Sequence, residues 1–139
     1  MVPEKTWVRF ALFITVLFVF CPRVIGQADI SVSLIQLIAN PEKYDGKQVE
    51  VIGFLRLEFE GNRIYLHEED YTYNISENAV RIGVTNKQRQ DLENRNMHYV
   101  FVVGTFKAGQ RGTSNPNGTI VNITKVEIWP PEKVISRSK

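Results

Sequence analysis

The chain has 139 residues, room for one domain, with an ordinary globular composition that argues against disorder throughout. Its only cysteine, Cys21, excludes a disulfide or a thiolate metal site in the rest of the chain. Lys5, Arg9, Arg23 and Glu4 cluster near the N-terminus; from Asp29 onward 14 basic residues face 14 acidic ones, so the net charge there is zero and the field typical of nucleic-acid binders is missing.

Residues 1–28 read as a signal peptide or an N-terminal membrane anchor. Lys5 and Arg9 precede the apolar run Phe10 to Phe20, and the small residues Gly26 and Ala28 follow it. That order is the one a secretory signal shows. The run is short for a helix that must cross about 30 Å of hydrocarbon. Phe20 before Cys21 and Pro22 after it depart from the small-residue pattern of a lipidated cysteine. Residues 29–131 are expected to form the folded domain and residues 132–139 a charged tail. The expected location is therefore periplasmic or secreted, with membrane contact only through an uncleaved N-terminal segment.

Within the domain, Ser33 and Gln36 have capping-box spacing. Leu34, Ile35, Leu37 and Ile38 predict a short helix, which Asn40-Pro41 ends. Asp45-Gly46 marks a turn. Lys47 to Phe59 reads as a long strand with Val49, Val51, Leu55, Leu57 and Phe59 on one face. Gly53 sits inside that row, where a glycine signals a bend or bulge. Glu60-Gly61-Asn62 is a hairpin turn, and Arg63 to His67 is the return strand. Acids and tyrosines break the pattern from Glu68 to Asn78, which reads as a solvated loop. Ala79 to Val84 is a third strand. Thr85 and Gln88 form a second capping box that opens a short polar helix. Met97 to Lys107 is a fourth strand, apolar on both parities and so expected to be covered on both sides. Ala108 to Gly118 is a polar loop, and Thr119 to Trp129 is a fifth strand whose apolar phase slips near Thr124-Lys125, the mark of a bulge.

A short N-terminal helix, three strands, a short helix and two further strands is the connectivity of a mainly β, five-stranded OB-like Greek-key barrel. The segments SLIQLIANPEKYDGKQVEVIGFL (residues 33–55) and YVFVVGTF (residues 99–106) resemble those of small exported bacterial OB-fold-like proteins of unassigned function. The resemblance implies the fold and an extracytoplasmic setting. It supplies no catalytic residue.

The residues themselves assemble no reactive centre. His67-Glu68-Glu69-Asp70 is rich in ligand atoms, but consecutive residues at a strand end point to alternate sides, and no calcium-loop spacing is present. His98, the second histidine, has no serine or cysteine nucleophile frame around it. No enzyme, no metal and no cofactor is therefore expected. Arg56, Arg63, Tyr65 and Arg81 are placed to share the face that OB barrels use for oligonucleotides or oligosaccharides, with Tyr65 expected to be exposed. Arg111 and Asn115, with Gln110 and Asn117, lie in an acid-free loop that flanks that face. These six residues, Arg56, Arg63, Tyr65, Arg81, Arg111 and Asn115, are the candidate ligand contacts. The expected partner is a protein, a peptide or an envelope glycan. A single-stranded nucleic-acid binder is the alternative, disfavoured by the neutral charge, and a small hydrolase or metalloprotein comes third. Asn74, Asn117 and Asn122 each begin an Asn-x-Ser/Thr sequon.

Overall fold

The computed structural model describes residues 29–59, 61–110 and 112–131. The leader and the tail of the sequence reading lie outside that range.

The chain opens with β1 (Ile30–Ser31), a two-residue strand with no signal in the sequence pattern, which pairs in parallel with the next strand. Helix α1 (Leu34–Ala39) starts at the expected capping box. Ser33 Oγ accepts from the Gln36 N–H at 3.2 Å, and Gln36 Oε1 accepts from the Ser33 N–H at 3.3 Å. Pro41 ends α1 and begins a second turn, α2 (Pro41–Tyr44), because its fixed φ suits a first helical position as well as it disrupts an interior one.

Five strands follow: β2 (Gln48–Arg56), β3 (Arg63–Tyr65), β4 (Ala79–Ile82), β5 (Tyr99–Lys107) and β6 (Thr119–Ile128). Strand β2 pairs antiparallel with β3 on one side and with β5 on the other. Strand β3 pairs antiparallel with β4. Two residues of β4 then pair in parallel with β6, and β6 runs antiparallel to β5, which closes the barrel. The result is a closed five-stranded OB-like barrel with a few short helices.

Its interior is filled by the alternating positions that the sequence marked. Val49, Val51 and Leu55 of β2 meet Ile64, Val80, Val100, Val102, Phe106 and Ile120, and all are essentially fully buried. Leu34 and Leu37 of α1, together with Tyr44, join the same cluster. The row stops at Leu57: Phe59 lies beyond the end of β2 and is 90% exposed. Helix α4 (Asn86–Asp91) begins at the expected Thr85 cap, and Leu92 packs at its end against the core.

Gly53 has a steric reason to be glycine. A Cβ there would sit 2.7 Å from Leu34 Cδ1 and 2.7 Å from the Tyr65 carbonyl oxygen, and closer still to Ile64 Cγ2. The hairpin partner and α1 both approach β2 at this point, as expected for a strand that bends around a small barrel. The bulge in β6 lies at Asn122–Thr124, where three residues oppose Gly104 alone, and Asn122 takes φ 50°. It overlaps at Thr124 the Thr124-Lys125 position that the phase slip suggested and extends from there toward Asn122.

The largest departure from the sequence reading is Glu68 to Asn78, which is ordered structure. It forms α3 (Glu68–Thr72) and a 3₁₀ turn over Ser76–Asn78. Asp70, buried inside this segment, fixes it. Its carboxylate accepts from the His67 N–H at 2.9 Å and from Asn78 Nδ2 at 2.8 Å. Glu68, Glu69 and Asp70 in the first turn complement the positive end of the helix. The segment lies against the outer face of the barrel. There Tyr71 and Tyr99 cover Phe54, Tyr65 and Ala79, making a second, smaller apolar cluster. Strand β5 is therefore covered on both sides only in part: Phe101 and Thr105 remain half-exposed.

Candidate binding site

The hairpin register puts arginine opposite arginine twice. Arg56 of β2 pairs with Arg63 of β3, and Arg63 pairs with Arg81 of β4. Three arginine side chains thus leave one row across three adjacent strands, on the outer face. Strands in a sheet lie about 4.8 Å apart. Like charges directly opposite one another destabilise a sheet, so this row works against the stability of the free barrel.

The three arginines are not equivalent. Arg56 is held on several sides. Its Nη1 donates to Asn96 Oδ1 at 3.4 Å, and that same oxygen accepts from the Leu57 N–H at 2.9 Å. Its guanidinium carbon stands 4.9 Å from the centre of the Tyr71 ring, within cation–π range. Its Nε is 3.2 Å from Glu58 Oε1, yet this buried nitrogen makes no hydrogen bond; the contact is Coulombic and its geometry misaligned. Arg63 and Arg81, in contrast, form no ion pair among the described residues. Arg81 Nε is buried without a hydrogen-bond partner. Native structures seldom leave such a donor unsatisfied, and each instance calls for a cause.

Arg63 and Arg81 line a shallow cleft of about 90 Å³ with Ser76, Glu77 and Ala79 on one wall and residues 114–117 on the other. Asn117 joins the two walls. Its Nδ2 donates to the Glu77 carbonyl at 2.7 Å and to the Ala79 carbonyl at 2.9 Å. Asn115 is fixed by its Nδ2, which donates to Thr119 Oγ1 at 2.7 Å. The loop after β5 is thereby tied to the turn before β4, and these bonds fix the two walls of the cleft relative to each other.

The structure brings four of the six candidate residues together: Arg56, Arg63 and Arg81 in the row, and Asn115 at its loop end. Arg111 lies outside the described residues. Tyr65 needs correction. It shares the face of Arg63 but is only 4% exposed, because α3 lays Tyr71 over it at 5.7 Å between ring centres. It supports the floor beneath α3 and offers no ring to solvent. The sequence reading missed Tyr71, Asn96, Ser76 and Glu77. The run of three acids from Glu68 was the available signal for α3, and hence for the cover over Tyr65. Asn117, a polar loop residue that begins a sequon, turns its amide inward; a glycan there would have to break the bonds that join the two walls.

His98 Nδ1 lies 2.9 Å from the Asn96 carbonyl oxygen, and His67 is exposed at the start of α3. Among the described residues no three His, Cys, Asp or Glu side chains converge as a metal-ligand group, and no helix is long and apolar enough to cross a membrane. No protein-family model matches the chain, and no curated protein matches it.

Proposed function

We propose that this chain is an extracytoplasmic, non-enzymatic binding module whose ligand lies across the outer face of β2, β3 and β4. The observation that carries the reading is the arginine row, Arg56–Arg63–Arg81, set in register by the two hairpin pairings. A row that opposes the stability of the free barrel is the kind of local conflict found at functional sites. Its charge selects a ligand that carries acidic groups: an acidic protein segment, a peptide or an envelope glycan. The setting outside the cytoplasm rests on the charged-then-apolar order of residues 1–28.

A single-stranded nucleic acid fits this face less well. Binding of that kind stacks bases on exposed aromatic rings beside the cations; Tyr65, the ring on these strands, is buried, and the half-buried Tyr71 already packs against Tyr65 and the Arg56 guanidinium. The domain from Asp29 onward also has no net positive charge.

Arrays of acidic glycans and acidic peptides, probed with the purified protein and with an Arg56→Gln/Arg63→Gln variant, test the reading. Capture of an acidic ligand that the double variant loses supports it. Capture that both proteins show equally would move the site off this face. Fractionation after bacterial expression, with N-terminal sequencing, tests the export. The mature chain should begin near Gln27 or Asp29, and full-length cytoplasmic protein with no membrane association would contradict that part.

A further inference from the structure

The two ends of the row differ in a way that narrows the chemistry. Both Arg56 and Arg81 bury an Nε without a hydrogen-bond partner. But Arg56 has Asn96, the Tyr71 ring and the Glu58 carboxylate around the rest of its guanidinium, whereas Arg63 and Arg81 face each other across β3 and β4 with no carboxylate paired to either among the described residues. Burying the Arg81 Nε without an acceptor raises the free energy of the unliganded state, since an unmade buried hydrogen bond to a charged group is expensive. An anion on the remaining guanidinium nitrogens would offset that cost by pairing the charge, because planar guanidinium groups hold carboxylate and phosphate oxygens through paired, charge-assisted bonds.

The surroundings suit one such group and little more. At about 90 Å³ the cleft is far below the roughly 300 Å³ at which pockets for drug-sized molecules begin. Its walls are held in place by Asn117 before any ligand arrives, and a preformed site loses less entropy on binding. Glu77 is the acid at the rim. It makes no ion pair with either arginine, so it opposes an incoming anion without neutralising the site.

We infer that the cleft between Arg63, Arg81 and residues 114–117 is an oxyanion subsite that takes a single carboxylate or phosphate group of the ligand. This rests on the arginine row being the ligand face, and it assigns the group that docks at one end of the row. Arg63 and Arg81 supply the charge, the joined loops supply the shape, and Glu77 limits the affinity for free ions.

Titration of the ¹⁵N-labelled protein with inorganic phosphate, and separately with acetate, at constant ionic strength tests it. Saturable shifts are expected at the backbone amides of Arg63, Arg81, Asn115 and Asn117 and at the Arg81 Nε–H. Arg81→Gln should weaken the affinity by about tenfold, equivalent to roughly 1.4 kcal/mol. Glu77→Gln should tighten it by about two- to threefold, the scale of a partly exposed charge interaction. Lys43→Gln, a charge change on α2, should leave it unaltered. The same spectra show whether each variant is folded; should Arg81→Gln lose its dispersed strand signals, Arg63→Gln takes its place. A preference for phosphate assigns a phosphorylated ligand and a preference for acetate a carboxylate, and either supports the subsite. Shifts that never saturate, that scatter over the surface, or that persist in folded Arg81→Gln and Arg63→Gln overturn it. If the subsite fails in this way while capture of an acidic ligand still requires Arg56 and Arg63, the broader reading of the row survives; if that capture is lost as well, both fall.

Discussion

Replacing Gly53 with alanine adds one methyl group at the most crowded point of the barrel wall. The new carbon would meet Leu34 Cδ1 and the Tyr65 carbonyl oxygen, each at 2.7 Å, and Ile64 Cγ2 more closely still. The Leu34 side chain can turn away within its rotamers. The Tyr65 carbonyl cannot move freely, since it belongs to the β2–β3 ladder through the Phe54–Tyr65 pair. Ile64 is fully buried and has nowhere to retreat. Overpacking of a tight core typically costs 1–3 kcal/mol, and a clash with backbone belongs at the upper end, about 3 kcal/mol. For a domain of this size each kcal/mol lowers the Tm by about 4–8 °C, so a fall of roughly 12–24 °C is expected. Thermal and urea denaturation followed by circular dichroism measure it. Gly46→Ala is the comparison: Gly46 takes φ 73° with nothing within 4 Å of a Cβ, so only backbone strain of about 1 kcal/mol applies. Equal losses for the two variants would show that β2 yields at Gly53 and that the close approach of β3 is not what requires glycine there.

Tyr65→Ala should lower stability by about 3–5 kcal/mol, the scale for removing a buried aromatic side chain, as read from denaturant midpoints; an unchanged midpoint would restore Tyr65 to the surface. Asp70→Ala should cost about 1–3 kcal/mol, because two donors lose their acceptor, and it should also reduce the near-ultraviolet tyrosine signal as α3 loosens from Phe54 and Tyr65. Stability lost with that signal intact would separate Asp70 from the packing of Tyr71. Arg63→Thr should stabilise the free protein by about 0.2–1 kcal/mol, by relieving two like-charged cross-strand contacts, while it weakens anion binding. A variant that is both less stable and unable to bind would show that Arg63 is structural.

The parts of this fold that local sequence encodes were readable in advance. Ser33 and Gln36, and Thr85 and Gln88, carry their capping instructions within four residues, and the β2 row from Val49 to Leu57 carries its facing in every second residue, although Ile52 and Phe54 place apolar groups on the other face as well. Individual arginines could be named because they fall on the polar parity of their strands. Their alignment could not be read, because it depends on the register of two hairpins, and a one-residue slip would have sent them to the opposite face. The Asn117 bridge was hidden for a similar reason: its acceptors lie 38 and 40 residues away in sequence. The burial of Tyr65 depends on α3, a helix too short to show an apolar period and signalled only by its leading acids and by Asp70. Strand β1, with two residues, has no pattern to detect.

Calorimetric titration of the wild-type protein and of an Arg56→Gln/Arg63→Gln/Arg81→Gln variant with two acidic probes, a glutamate hexapeptide and an oligogalacturonate, tests the arginine row most directly. The wild-type protein should bind at least one probe. Its affinity should fall as salt rises from about 0.01 M to 0.15 M, over which the screening length shortens from roughly 30 Å to 8 Å. The triple variant, folded as judged by circular dichroism, should bind at least tenfold more weakly. Equal affinity for the two proteins, or no binding of either probe by the wild-type protein at low salt, would contradict the assignment of this face as the ligand site.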